Sequence, residues 1–139
     1  MNVPRLSGVL ETSLYVADVD RARAFYRRVF GFEELLLDDR MAGLAVPGGS
    51  VLLLFKAGGS VYPSPTPGGT IPPHDGRGTQ HLAFAIPVAS LEEWEAHLAA
   101  EGVGIESRVT QHFGGISLYF RDPDGHSIEV ATPGLWRVY

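Results

Sequence analysis

One internal repeat limits what this chain can fold into: a strand-like stretch, an amphipathic helix and three further strand-like stretches occur twice in the same order. Leu10–Val16 alternates, with Thr12, Leu14 and Val16 on one side and Glu11, Ser13 and Tyr15 on the other, the period of a half-buried strand. Asp18 then stands where a helix N-cap belongs. Val19, Ala22, Phe25, Tyr26 and Val29 recur with helical spacing, and Gly31 sits where that helix would stop. Phe32–Leu37, Ala42–Val46 and Ser50–Lys56 read as short strands separated by turn-prone Asp38-Asp39 and Pro47-Gly48-Gly49. The pattern restarts at His81, where His81, Ala83 and Ala85 alternate with Leu82, Phe84 and Ile86. Ser90 and Glu93 have the spacing of a capping box opening a helix that ends near Gly102. Gly104–Arg108, Ile116–Phe120 and His126–Thr132 complete the second set of strands, the last two joined by the turn Asp122–Gly125.

The expected fold is therefore α+β: two tandem βαβββ modules forming a curved, cup-shaped mixed sheet with helices on its outer face. At 139 residues the chain has the size of one compact domain. Module one spans 8–56, a linker or lid 57–78, module two 79–132 and a C-terminal tail 133–139. The linker (GGSVYPSPTPGGTIPPHDGRG) is dense in Gly, Pro, Ser and Thr, lacks sustained periodicity and is longer than joining two neighbours requires. A duplicated module buries its apolar faces against its twin, either within one chain or by exchange between chains.

Matching Glu11 to His81 and Gly49 to Gly125 sets Leu53 beside Glu129. Strand parity then turns Val51, Leu53 and Phe55 toward the concavity in module one, and Ser127, Glu129 and Ala131 in module two. The four pseudo-symmetric positions read Glu11, Leu53, His81 and Glu129. Three of these are side chains that bind metals, and each buried charge among them needs a partner. The chain has no cysteine, so nitrogen and oxygen are the only ligand types left.

The segments LYVADVDRARAFYRRVFGFEE, GTQHLAFAI and LYFRDPDGHSIEVATP resemble the vicinal-oxygen-chelate superfamily, which includes glyoxalase I, extradiol dioxygenases, methylmalonyl-CoA epimerase and the fosfomycin- and bleomycin-resistance proteins. The resemblance covers nearly the whole chain. It implies a divalent metal held by the first and last strands of the modules, with Glu11, His81 and Glu129 as ligands and Glu11 and Glu129 as catalytic groups. Leu53 departs from the fourth, acidic ligand of glyoxalase I. Three protein ligands leave coordination positions for water or for two adjacent substrate oxygens. Two carboxylates and an imidazole suit Fe(II), Mn(II), Ni(II) or Zn(II) without choosing among them. The ion would serve as a Lewis acid for a lyase or isomerase, or as the centre of a ring-cleaving dioxygenase.

Ser13, Tyr15, Leu53, Phe55, His112 and Tyr119 are the candidate substrate contacts. The other histidines are weaker candidates: His74 lies in the linker, His97 on a helix surface, and His126 has the opposite parity to Glu129. Eleven basic against sixteen acidic residues, net −5, argue against nucleic acid as partner. No signal-like start and no apolar run of membrane-spanning length are present, so a cytoplasmic protein is the simplest expectation. The resemblance also implies a homodimer. A reading of another class is a metal-free protein that sequesters a small molecule, for which Leu53, Phe55 and Tyr15 supply an apolar surface. Thiol transfer to fosfomycin is a third.

Overall fold

A computed structural model describes residues 2–139. Module one runs β1 (Glu11–Val16), α1 (Val19–Phe30), β2 (Glu33–Leu37), β3 (Met41–Val46) and β4 (Ser50–Lys56), hydrogen-bonded in the order β1-β4-β3-β2. The linker carries a small hairpin, β5 (Ser64–Thr66) and β6 (Gly69–Ile71). Module two runs β7 (His81–Ala85), α2 (Leu91–Ala100), β8 (Ser107–Thr110), β9 (Ile116–Arg121) and β10 (Ser127–Ala131), in the matching order β7-β10-β9-β8. In both modules the first strand lies parallel to the last, a pairing that needs a crossover, and the helix together with the two strands after it supplies one. Glu11 pairs with Val51 and His81 with Ser127, so Leu53 and Glu129 occupy equivalent places two residues further on. No described helix is long and apolar enough to cross a membrane.

Local chemistry explains most element boundaries. The Asp18 side chain accepts from Arg21 N–H at 3.1 Å, and Gly31 takes the left-handed conformation (φ 68°) that ends α1 and lets its N–H bond Arg27 O. Three expectations need correction. The Ser90–Glu93 capping box does not form: a 3-10 turn over Val88–Ser90 pulls Ser90 into helical φ/ψ, and a cap needs an extended residue there. The strand expected at Gly104–Arg108 begins only at Ser107, because the preceding segment reaches the sheet through one bond, Glu106 N–H to Tyr119 O at 2.8 Å. The linker is not structureless, since Pro67, Gly68 and Gly69 turn Ser64–Thr66 back on Gly69–Ile71.

A single apolar core joins the modules. It takes Leu14, Val16, Leu52 and Leu54 from one sheet, Leu118, Phe120, Ile128 and Val130 from the other, and the inner faces of α1 and α2. Phe30 lies where they meet, with ring centroids 4.8 Å from Phe84 and 5.4 Å from Trp94. Because side chains on a strand alternate, burying these residues turns Glu11 and Leu53, and likewise His81 and Glu129, to the opposite faces of their sheets.

Polar contacts across the modules are specific. The buried Tyr26 hydroxyl donates to Asp122 Oδ2 at 2.7 Å, and Asp124 Oδ1 accepts from Ala17 N–H at 2.8 Å. His126 Nδ1 accepts from the backbone N–H of Gln80 (2.8 Å), which leaves its proton on Nε2 to donate to Tyr15 O (2.7 Å). Gln80 Oε1 accepts from Tyr15 N–H at 3.0 Å. Module two thus holds both backbone groups of Tyr15, and His126 is the packing residue its parity predicts.

Candidate functional site

The open face of module two brings His81 and Glu129 together. Glu129 on β10 is 3% exposed, and its Oε1 lies 3.2 Å from His81 Nε2. His81 Nδ1–H donates to Ser127 O at 2.9 Å. A bond of this kind to a carbonyl fixes the tautomer, so the lone pair sits on Nε2, aimed at the carboxylate. Two acceptors at that distance are held by a proton on Nε2 or by a cation they share. The second Glu129 oxygen, Oε2, is buried with no hydrogen-bond partner. A proton on the imidazole leaves Oε2 orphaned, and a divalent cation satisfies it, so the donors present fit a metal. Tyr119, the cross-strand neighbour of Glu129, stacks on the His81 ring (centroids 6.2 Å, planes 28° apart) and accepts a bond from Gln111 Nε2 at 3.3 Å.

The open face of module one lines a separate cavity of about 590 Å³, within the usual range of small-molecule sites. Glu11, Ser13 and Tyr15 from β1 and Leu53 and Phe55 from β4 form its floor, as strand parity requires, and the linker forms its far wall. Tyr15 stacks on Phe55 (6.0 Å), and His74 packs edge-on to Phe55 at 4.4 Å. The Tyr15 hydroxyl and His74 Nδ1 are 2.6 Å apart. Burial first, and the Asp75 charge second, push the Tyr15 hydroxyl above its ordinary pKa, so it stays a neutral phenol able to share a proton with His74.

Of the expected ligands, the structure brings His81 and Glu129 to one point and leaves Glu11 in the other cavity. Among the described residues of one chain, no three His, Asp or Glu side chains converge on an ion, so the three-ligand site is not completed within one chain. Of the expected substrate contacts, Ser13, Tyr15, Leu53 and Phe55 line the module-one cavity and Tyr119 lies against His81. His112 sits exposed in the β8–β9 turn against Phe113 (4.8 Å), outside the lining of the module-one cavity. His97 lies half-exposed on α2, as expected of a helix-surface residue, and bonds Val29 O at the end of α1 (2.7 Å). Arg40 and Ser60 also line the module-one cavity and were not singled out from sequence. Arg40 follows the turn-prone pair Asp38-Asp39, and only the return of the linker over β3 shows its place.

Comparison with known proteins agrees with this architecture. The family described as Glyoxalase/Bleomycin resistance protein/Dioxygenase superfamily matches residues 8–130. The chain is 32% identical over 133 residues to a metallothiol transferase FosB of Shouchella clausii, an alignment covering 94% of this chain and 83% of that protein. It is 30% identical over 118 residues to a catechol-2,3-dioxygenase of Bacillus subtilis, covering 84% of this chain but 38% of that longer protein. The crystal structure of a lactoylglutathione lyase from Agrobacterium tumefaciens superposes with a TM-score of 0.87 at 34% identity, covering 96% of this chain and 99% of that one.

Proposed function

Because the chain belongs to the glyoxalase/bleomycin resistance protein/dioxygenase superfamily, we propose that it is a divalent-metal-dependent enzyme that binds a small oxygenated organic molecule through two of its oxygens. The observation that carries this reading is the His81–Glu129 pair, in which the His81 lone pair faces Glu129 Oε1 at 3.2 Å while the other carboxylate oxygen, Oε2, is buried without a partner. The ion, Fe(II), Mn(II), Ni(II) or Zn(II), would supply Lewis-acid stabilisation of negative charge developing on a chelated oxygen. His81, oriented by Ser127 O, and Glu129 would hold it.

Glu11 is the third protein donor in this reading, and it comes from a second copy of the chain. Its carboxylate is exposed and forms no ion pair among the described residues, as expected of a group whose partner lies outside its own chain. A homodimer in which module one of one copy faces module two of the other would join the two open faces that the core turns away from each other. Glu11 would then also serve as the base that accepts a proton from the carbon beside a chelated oxygen. Relatives named as a transferase and a lyase, aligned over nearly the whole chain, support group chemistry over oxygen activation. So does the donor set, which departs from the two-histidine, one-carboxylate pattern of non-haem iron oxygenases.

Metal analysis of the purified protein tests this. One divalent ion per chain is expected, with affinity falling at least about tenfold in His81→Ala and in Glu129→Gln. Protein that carries no stoichiometric metal and takes none up on titration would end the metal reading. The aromatic module-one cavity, which stands apart from the His81–Glu129 pair within a chain, favours a metal-free binding protein as the second reading. Ligand affinity indifferent to chelator and to Glu129→Gln would support that instead.

A further inference from the structure

The module-one cavity contains two polar groups with no assigned work, and they lie together. Arg40 lines it, and among the described residues its guanidinium has no carboxylate partner and no hydrogen bond. Ser60 lines it too, 6% exposed, with a hydroxyl that is buried and unpartnered. The Arg40 stem rests on the backbone next to Ser60: a Cβ added to Gly59 would stand 3.0 Å from Arg40 Cγ. The buried Ser60 hydroxyl without a partner carries a desolvation cost, the half-buried Arg40 is a cation without a counter-ion, and one anion would serve both. Asp75, an acidic residue of the nearby linker, is within ion-pair distance of Arg77 at 4.0 Å.

The rest of the cavity limits what the anion is attached to. Leu53 and Phe55 cover the floor, and Met41, paired with Phe55, continues the apolar surface to Arg40. Glu11 lies at the opposite end, four residues from Tyr15 along β1, which corresponds to roughly 13 Å of strand.

We propose that this cavity takes an apolar or aromatic carboxylate, with Arg40 and Ser60 Oγ binding the carboxylate, Leu53 and Phe55 packing its body, and the far end reaching the level of Glu11. The guanidinium fork presents paired donors that match a carboxylate, and the hydroxyl adds a third. The last part rests on the metal-dependent reading, because Glu11 is where that reading sets the chelated end. The carboxylate preference itself does not depend on it.

The test uses the full chain treated with chelator, titrated calorimetrically at neutral pH with 3-phenylpropionate, 3-phenylpropan-1-ol and 3-phenylpropan-1-amine. The carboxylate is expected to bind about tenfold or more tighter than the alcohol, and the amine no better than the alcohol. Arg40→Met should bring carboxylate and alcohol to equal affinity while leaving the alcohol unchanged. Arg40→Lys should retain most of the preference, which separates loss of charge from misfolding. Phe55→Ala should weaken all three ligands. Equal binding of carboxylate and alcohol, tighter binding of the amine, or a preference that survives Arg40→Met would overturn the proposal. Carboxylate preference in a protein that binds no divalent metal would sink the metal reading and leave this one standing. Metal binding without the preference would do the reverse.

Discussion

Tyr26 shows how much one polar atom can hold in a small core. The residue is fully buried on α1, and its hydroxyl donates to Asp122, whose other oxygen accepts the backbone N–H groups of Asp124 and His126. Tyr26→Phe removes the donor and leaves a buried carboxylate oxygen unpaired, a loss of about 1–3 kcal/mol. For a chain this size that lowers Tm by several degrees. The same residue gives a pH signature. Burial foremost, then the negative charge of Asp122, raises the Tyr26 pKa far above its ordinary value near 10. The unfolded chain therefore releases this proton as pH passes 10 while the native chain keeps it. The stabilisation is fully present below pH 10 and declines above it, by up to about 1.4 kcal/mol per pH unit. Chemical denaturation of wild type and Tyr26→Phe at pH 8, 10 and 11 should show their stability gap narrowing above pH 10. Tyr15 and Tyr139, whose pKa values are also raised, are common to both proteins and cancel. A gap that stays constant across that window would refute the assignment.

Elements whose residues repeat a physical period were legible in advance, and those shaped by distant contacts were not. β1, α1 and β4 follow from alternation, helical spacing and a capping aspartate, so their bounds agree closely with expectation. The matching of Leu53 to Glu129 needed nothing beyond the repeat, and the identical strand orders of the two sheets and the equivalent register of first strand on last bear it out. The linker resisted, because Gly, Pro and Ser specify turns without saying what the turns approach. Its return over module one depends on Gly76, whose backbone lies so close to the Tyr15 ring that a Cβ there would overlap it. Gly76→Ala should push the segment off β1 and break the Tyr15–His74 bond. Amide exchange across residues 64–74 should then accelerate, while Tm changes little because the core is untouched. Exchange as slow as in wild type would show that the linker is held by other contacts. The site divides along the same line: parity was enough to put Glu11 and Glu129 on open faces, but whether those faces meet depends on packing that no local pattern encodes.

The packing of the molecule sets the terms for that meeting. One core consumes the inner faces of both sheets, so the Glu11 face and the His81–Glu129 face look outward on different sides of a single chain. The N-terminal segment is apolar and exposed, with Val3, Leu6, Val9 and Leu10 each more than two-thirds accessible, an arrangement that suits contact with another copy. If two copies pair by a two-fold axis, each of two sites takes Glu11 from one chain and His81 and Glu129 from the other. Glu11→Ala alone and the double variant His81→Ala/Glu129→Ala alone would then each lack every complete site. Mixing the two and allowing exchange makes hybrids with one intact site and one empty of all three donors. Random pairing should restore about a quarter of the wild-type metal capacity. A site built within one chain predicts no recovery at any mixing ratio, since neither variant holds a full set of ligands. Native mass spectrometry after mixing establishes that exchange occurred, because the hybrid's mass lies between those of the two parent dimers. Recovery near a quarter locates the centre between copies, its absence in demonstrably exchanged dimers rules out a site shared between them, and full metal binding by Glu11→Ala alone would remove Glu11 from the ligand set.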